Sequence, residues 1–295
     1  MPLRDFDGFR KDRLVFAKGI YRSFHEMKDS EDLGADMYSV GSDVVWKYFP
    51  LNENGKIPFL DFVPEGVPRI SYSPSFGSAT ISDDVKTFVT PLLKKFRDVS
   101  VREQSGVAIC RQMGRDDAVC VLDPVFLLER TDYMRLFDIP ASRYGVFSYL
   151  LKMNAKYPLS EARALCPGES FAITTVYDDM GIDPKWLTDP TIPQWVRNIG
   201  SAKFVITNSF HGTSMCIILH TPFAVILRNE GEGMDNRLTT ILNRVGLGNR
   251  LYRGEADLQR LRDEPIDWVD VERHLQAEKM VSLSYLKKVG VIKEA

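Results

Sequence analysis

Short runs of β-branched and other apolar residues alternate with stretches of helical periodicity along the whole chain. That alternation is the signature of an α/β protein with parallel sheets. In the first half, the patterns at 37–40, 69–73, 98–101 and 119–122 predict strands. Helical spacing predicts helices over 84–96, where Leu92, Leu93 and Phe96 share a face, and over 105–113. The segment 6–27 also carries an amphipathic helical pattern. A second series follows, with strands predicted at 171–176, 204–207 and 222–227 and helices at 193–200, 211–219 and 237–245.

Between the two series Pro140, Ala141, Ser142 and Gly145 cluster, a breaker signal. The boundary is therefore expected there, giving domains of 1–138 and 139–295, each Rossmann-like, with a cleft between them. In open α/β sheets ligands bind beyond the carboxyl ends of the strands, so the residues just after each strand are the ones to search. Doubly wound domains open on a strand and a Gly-rich loop, whereas residues 1–30 contain only Gly8 and Gly19. The first domain is accordingly expected to be shortened at its N-terminus.

The most informative strand end is Thr207-Asn208-Ser209-Phe210-His211-Gly212-Thr213-Ser214. An apolar strand runs into two good N-cap residues, Asn208 and Ser209, and a helix begins near His211. The first N–H groups, the positive end of the helix dipole and the hydroxyls of Ser209, Thr213 and Ser214 are expected to converge on an anion. His211 would bind that anion or move a proton, and Gly212 would let a ligand approach the backbone. The alternative is a histidine that only satisfies local backbone. His220, at the far end of this helix, reads as a C-terminal residue, and His25 and His274 as surface residues.

Three other strand ends carry candidates. Gly41-Ser42-Asp43-Val44-Val45-Trp46 reads either as an Asp cap with a packed Trp or as a cleft wall in which Asp43 or Trp46 contacts a sugar. Arg102, one residue past a strand, is placed to offer its guanidinium fork to a phosphate or carboxylate, or else to pair with Glu103 or another neighbour. In the polar segment 228–237, Arg237 at the start of a helix is the better placed of two arginines for an anionic ligand.

Composition narrows the function classes. With 38 Lys+Arg against 40 Asp+Glu the net charge is −2, which argues against binding nucleic acid by broad phosphate neutralisation. The longest apolar run, 215–227, is interrupted by His220 and Pro222 and is too short to span a bilayer. The first residues hold no apolar h-region, and the four cysteines are scattered without a CxxC pair. A cytoplasmic chain is expected, with at most peripheral membrane association and without a metal-ligand cluster.

Taken together and in order, these segments resemble the polysaccharide pyruvyl transferase family. The matching stretches are 41–46, 70–77, 100–106, 121–124, 207–213, and 236–247 with Arg250. The resemblance implies a fold like the GT-B glycosyltransferases, two Rossmann-like domains with an interdomain site. The N-terminal one would serve the acceptor and the C-terminal one phosphoenolpyruvate, with the last helix packing back on the first domain. It also implies transfer of an enolpyruvyl-derived group from phosphoenolpyruvate, a co-substrate rather than a bound cofactor, to the hydroxyls of a sugar or lipid-linked oligosaccharide. In such enzymes the His of Ser-Phe-His-Gly and cleft-facing arginines contact phosphoenolpyruvate, which assigns those roles to His211, Arg102 and Arg237. Where characterised ketal-forming members often carry Arg-Leu-His, this chain has Ser209-Phe210-His211. Two other readings remain open: a GT-B-like glycosyltransferase using a nucleotide sugar, and a non-catalytic member of the family.

Overall fold

A computed structural model describes residues 8, 10–11, 14–15, 19–30, 34–151, 157–175, 182–227, 235–254 and 256–293. The chain forms two compact units, one of Val15–Leu127 with Gln276–Ala295, the other of Met1–Leu14 with Leu128–Leu275. The division falls ten residues or so before the breaker cluster at Pro140. The helix of Arg130–Leu136 therefore groups with the second unit, not with a 1–138 domain.

The first unit begins with α1 (Phe24–Lys28), capped by the Ser23 hydroxyl, which accepts the Glu26 N–H. Residues 14–15 and 19–23 are not helical, so the pattern over 6–27 is not one continuous helix: residues 8 and 10–11 are helical, and α1 forms its far end. Strand β1 (Tyr38–Val40) pairs in parallel with β2 (Arg69–Ser71). The helix α2 (Asp83–Leu93) follows, then β3 (Ser100–Val101), α3 (Gln104–Gln112) and β4 (Val119–Cys120), with β3 and β4 also parallel. A bridge between Ile70 and Asp98 joins the two ladders. The core beneath them is aromatic: Trp46 stacks on Phe59 at 5.4 Å and lies 5.1 Å from Phe76 and 6.0 Å from Phe96. On the other side, Ile70, Tyr72 and Val121 pack with Tyr285, Leu286 and Val289. The Tyr285 hydroxyl donates to the Ser71 carbonyl at 2.8 Å, and the Leu122 N–H to the Ser282 hydroxyl at 2.9 Å.

The second unit runs α4 (Arg130–Leu136), β5 (Tyr144–Leu150), α5 (Leu159–Ala164), β6 (Phe171–Thr175), α6 (Ile192–Ser201), β7 (Ala202–Thr207), α7 (Phe210–Leu219), β8 (Phe223–Val225), α8 (Asn236–Arg244), α9 (Asp257–Asp263) and the first turns of α10 (Trp268–Lys288), whose residues from Gln276 on group with the first unit. Its sheet is fully parallel, in the order β6-β5-β7-β8. Strand β5, hidden from the sequence pattern by its breaker-like start, lies at the centre. Gly145 sits in it at φ 56°, where an added Cβ would come 1.9 Å from the Ser170 carbonyl oxygen. The glycine marks a close approach of two strands rather than a break. Because α7 is apolar all round, every residue in it but His211 is buried. The fold is thus mixed α/β with parallel sheets.

Candidate active site

In the second sheet the chain goes from β5 to β6 on one side, then returns to β7 and β8 on the other. The direction of winding reverses between β5 and β7. Side chains at the carboxyl ends of that pair face the crevice where such sheets take their ligands. Asn208, the first residue past β7, closes the two strand ends together: its Oδ1 accepts the N–H of Leu151, just past β5, at 2.8 Å. Thr207 does the same one residue earlier, its hydroxyl donating to the Tyr149 carbonyl at 2.7 Å and accepting the Ser209 N–H at 3.1 Å.

Ser209 is the N-cap of α7, and its hydroxyl accepts the Gly212 N–H at 3.2 Å. The N-terminus of this buried helix is therefore aimed rigidly at the crevice, with its partial positive charge. His211 sits in the first turn and is the one residue of α7 that is not buried. Its ring meets that of Phe210 edge-on at 5.4 Å. The Arg237 guanidinium lies 6.0 Å from the Phe210 ring centroid and brings a cation from α8 to the same helix end, although Arg237 is only 6% exposed. The structure thus gathers Asn208, Ser209, His211, Gly212, Thr213 and Arg237 around one helix terminus. Residues 228–234 of the preceding segment lie outside the described residues.

Three details of the expected constellation change. The Ser209 hydroxyl is engaged as a cap, and the Ser214 hydroxyl donates back to the Phe210 carbonyl at 2.9 Å. Of the three hydroxyls expected to converge on an anion, only that of Thr213 has no partner among the described residues, and it is fully buried. Gly212 makes room for the sheet and not for a ligand, since a Cβ there would come 2.5 Å from Thr207 Oγ1 and 3.1 Å from Tyr149 Cδ1. Cys216 lies wholly inside α7, where burial pushes its thiol far above the ordinary value, so it is no nucleophile at neutral pH.

In the first unit, Arg102 and Asp43 come together and Trp46 turns inward. Arg102 Nη1 donates to Asp123 Oδ2 at 2.8 Å and Nη2 to Asp43 Oδ1 at 3.2 Å. Both the Arg102 and Asp123 side chains are 1% exposed, and the Ser42 hydroxyl also donates to Asp123. Arg102 is therefore a buried clamp between strand-end loops rather than an open anion ligand. Its carboxylate partners include Asp123 and Asp43, while Glu103 accepts the Ser75 hydroxyl at 2.7 Å. Asp43 stands at φ 75° with its carboxylate more than half exposed, accepting the Val44 N–H at 2.9 Å. Trp46 is 1% exposed, and its indole N–H donates to the Pro58 carbonyl at 2.9 Å. It is a core side chain, so stacking on a sugar is excluded for it.

Among the other histidines, His25 is exposed and His274 half-buried. His220 is the left-handed C-cap of α7, stacked on Trp268 at 4.7 Å and 2.7 Å from Glu272 Oε1. The residues missed by sequence pattern are Tyr149 and Leu151, whose backbone completes the crevice from β5. The signal for them was the apolar run Val146–Phe147, masked by the glycine beside it. No cluster of His, Cys, Asp and Glu suited to a metal ion occurs among the described residues, nor any helix long and apolar enough to cross a membrane.

Comparison with known families matches residues 3–230 of the chain to the model for polysaccharide pyruvyl transferases. Comparison with curated proteins gives no match. A solved structure of the glycotransferase of kitacinnamycin is similar to 90% of this chain and 79% of its own, at 11% identity and a TM-score of 0.43. That likeness is too remote to bear on activity.

Proposed function

Because this chain belongs to the polysaccharide pyruvyl transferase family, we propose that it transfers the enolpyruvyl-derived group of phosphoenolpyruvate to two hydroxyls of a sugar. The observation that supports this reading is the position of His211, solvent-accessible in the first turn of a buried helix, with Arg237 beside it. The family implies a sugar or polysaccharide acceptor. We read the acceptor as a cell-surface polysaccharide precursor, lipid-linked in form, modified in the cytoplasm. We read the two units as Rossmann-like halves of a GT-B pattern.

The chemistry requires what the helix end offers. A proton added to C3 of the enol leaves C2 electrophilic. One sugar hydroxyl attacks C2 and loses its proton, and phosphate departs with the electrons of the C2–O bond. The second hydroxyl then closes the ketal, so donor plus diol gives pyruvyl ketal plus inorganic phosphate. In this reading His211 is the proton donor to C3 or the ligand of the phosphate oxygens. The α7 N-terminus and Arg237 stabilise the charge that grows on the departing phosphate. Asn208, Ser209, Gly212 and Thr213 hold that terminus against the sheet, and Asp43 is the acceptor contact in the first unit. No step calls for a resident cofactor.

The test is phosphate release from phosphoenolpyruvate by the purified chain, with and without a panel of hexose oligosaccharides and their lipid-linked forms. Release that depends on acceptor, and that falls at least a hundredfold in His211→Ala, is the expected result. Unchanged turnover in that variant would defeat the assignment. Thermal stabilisation by nucleotide sugars but not by phosphoenolpyruvate would move the chain to the glycosyltransferases. An intact fold that binds neither donor would mark it as non-catalytic.

A further inference from the structure

At the opposite end of α7 lies a second concentration of charge that the proposed reaction does not use. Arg130, the first residue of α4, and Arg143, just ahead of β5, both reach the Leu219 carbonyl. The distances are 3.4 Å from Arg130 Nε and 3.3 Å from Arg143 Nη2. Arg143 Nη2 also donates to the His220 carbonyl at 2.8 Å. These carbonyls are the hydrogen-bond partners of the two guanidinium groups, and among the described residues no carboxylate pairs with either. Glu272, beside the same end of α7, shares a hydrogen bond with His220 Nε2 at 2.7 Å. Most of the N–H donors of each guanidinium therefore remain available.

A cavity of about 130 Å³ opens between them, lined by the two arginines with Met134, Ile139, Pro140 and Leu219. Two like charges set side by side without a counter-ion repel each other, and the Arg143 guanidinium is depressed by burial and by the neighbouring Arg130. The C-terminal end of α7 offsets little of this. It carries about half a negative charge, against two full positive ones.

We propose that this cavity is an anion site that takes a tetrahedral phosphate group, held between the guanidinium forks of Arg130 and Arg143. A dianion matches two cations where a carboxylate matches one, and guanidinium forks suit phosphate oxygens in pairs. The hollow is close in size to an engineered cavity of about 150 Å³ that admits benzene, so it fits inorganic phosphate or the phosphate head of a small ester. Helix α7 has ten residues, about 15 Å of length. That length separates this site from His211 at the other terminus, so an anion bound here is not the one undergoing reaction.

Calorimetric titration of the full chain with inorganic phosphate, at constant ionic strength, tests the proposal. The expected result is one-site binding that persists in His211→Ala and weakens at least tenfold in Arg130→Gln. Arg143→Gln removes contacts to two carbonyls and could disturb folding, so Arg130→Lys, which keeps the charge but not the fork, serves as the second variant and should weaken binding several-fold. Glycerol phosphate titrated in parallel separates the two sources: tighter binding than inorganic phosphate assigns an ester, weaker binding the free ion. Binding lost in His211→Ala and retained in Arg130→Gln would place phosphate at the other end of α7 and overturn the inference. So would no binding at 10-millimolar order phosphate. Because the readout is binding without donor or acceptor, it stands or falls apart from the transferase reading.

Discussion

Arg102 shows how much one residue's role depends on what it meets. A guanidinium just past a strand end is chemically suited to a phosphate, yet here Asp123 and Asp43 already fill that role. Two charges taken fully out of water are tolerable together and costly apart. Asp123→Asn is expected to destabilise the chain by about 3–5 kcal/mol, because it takes from the buried Arg102 charge its fully buried counter-ion. Arg102→Met should cost a similar amount, stranding Asp123. The double variant Arg102→Met/Asp123→Asn should cost clearly less than the two losses added together, since neither charge is then left behind. Urea unfolding of the four proteins measures this. Additive losses would mean that the side chains are solvated and act independently.

At the scale of elements, α7 does two things with one geometry: it fills the core below the sheet and presents its N-terminus at the crevice. The Ser209 cap connects them. Ser209→Ala should lower stability by about 1 kcal/mol. It should also speed hydrogen exchange at the Gly212 amide, the donor in that bond, with slower phosphate release from phosphoenolpyruvate. Unchanged exchange would show that the first turn is held by packing alone. This element was legible in the sequence because strand, N-cap and helix follow one another locally, with Asn208-Ser209 at the junction. Strand β5 was not, although it is the middle of the sheet. Gly145 and Pro140 are breakers by local rule, and only the position of Ser170 on the neighbouring strand explains why a glycine is needed there. Trp46 was left open between two readings for a related reason. A large aromatic after a polar turn reads equally as wall or core, and the choice is made by Phe59, Phe76 and Phe96, distant in sequence.

The whole chain is less legible than its parts. The turn-rich stretch near Pro140 suggested the boundary, but which unit a helix joins depends on long-range contacts. Residues 276–295 cluster with Val15–Leu127 although the second unit intervenes in sequence. The same α10 supplies, from its first turns, Trp268 and Glu272 to the C-terminal end of α7, and through them a pH dependence of global stability. Burial lowers the His220 pKa and the Arg130 and Arg143 charges lower it further, while the hydrogen bond to Glu272 works the other way; the net shift is downward. An unfolded imidazole titrates near pH 6.5. Between the depressed folded value and about 6.5, the unfolded chain holds more protons than the folded one. Stability therefore rises with pH across that window and is flat above it as far as this group is concerned. His220→Asn removes the titration, and asparagine tolerates the left-handed backbone at φ 54°. The urea midpoint of the wild type should therefore fall more steeply than that of the variant as the pH is lowered from about 7 to 5. A wild type that instead holds its stability better than the variant on acidification would mean that Glu272 keeps the imidazole charged, the stack on Trp268 then working as a cation–π contact.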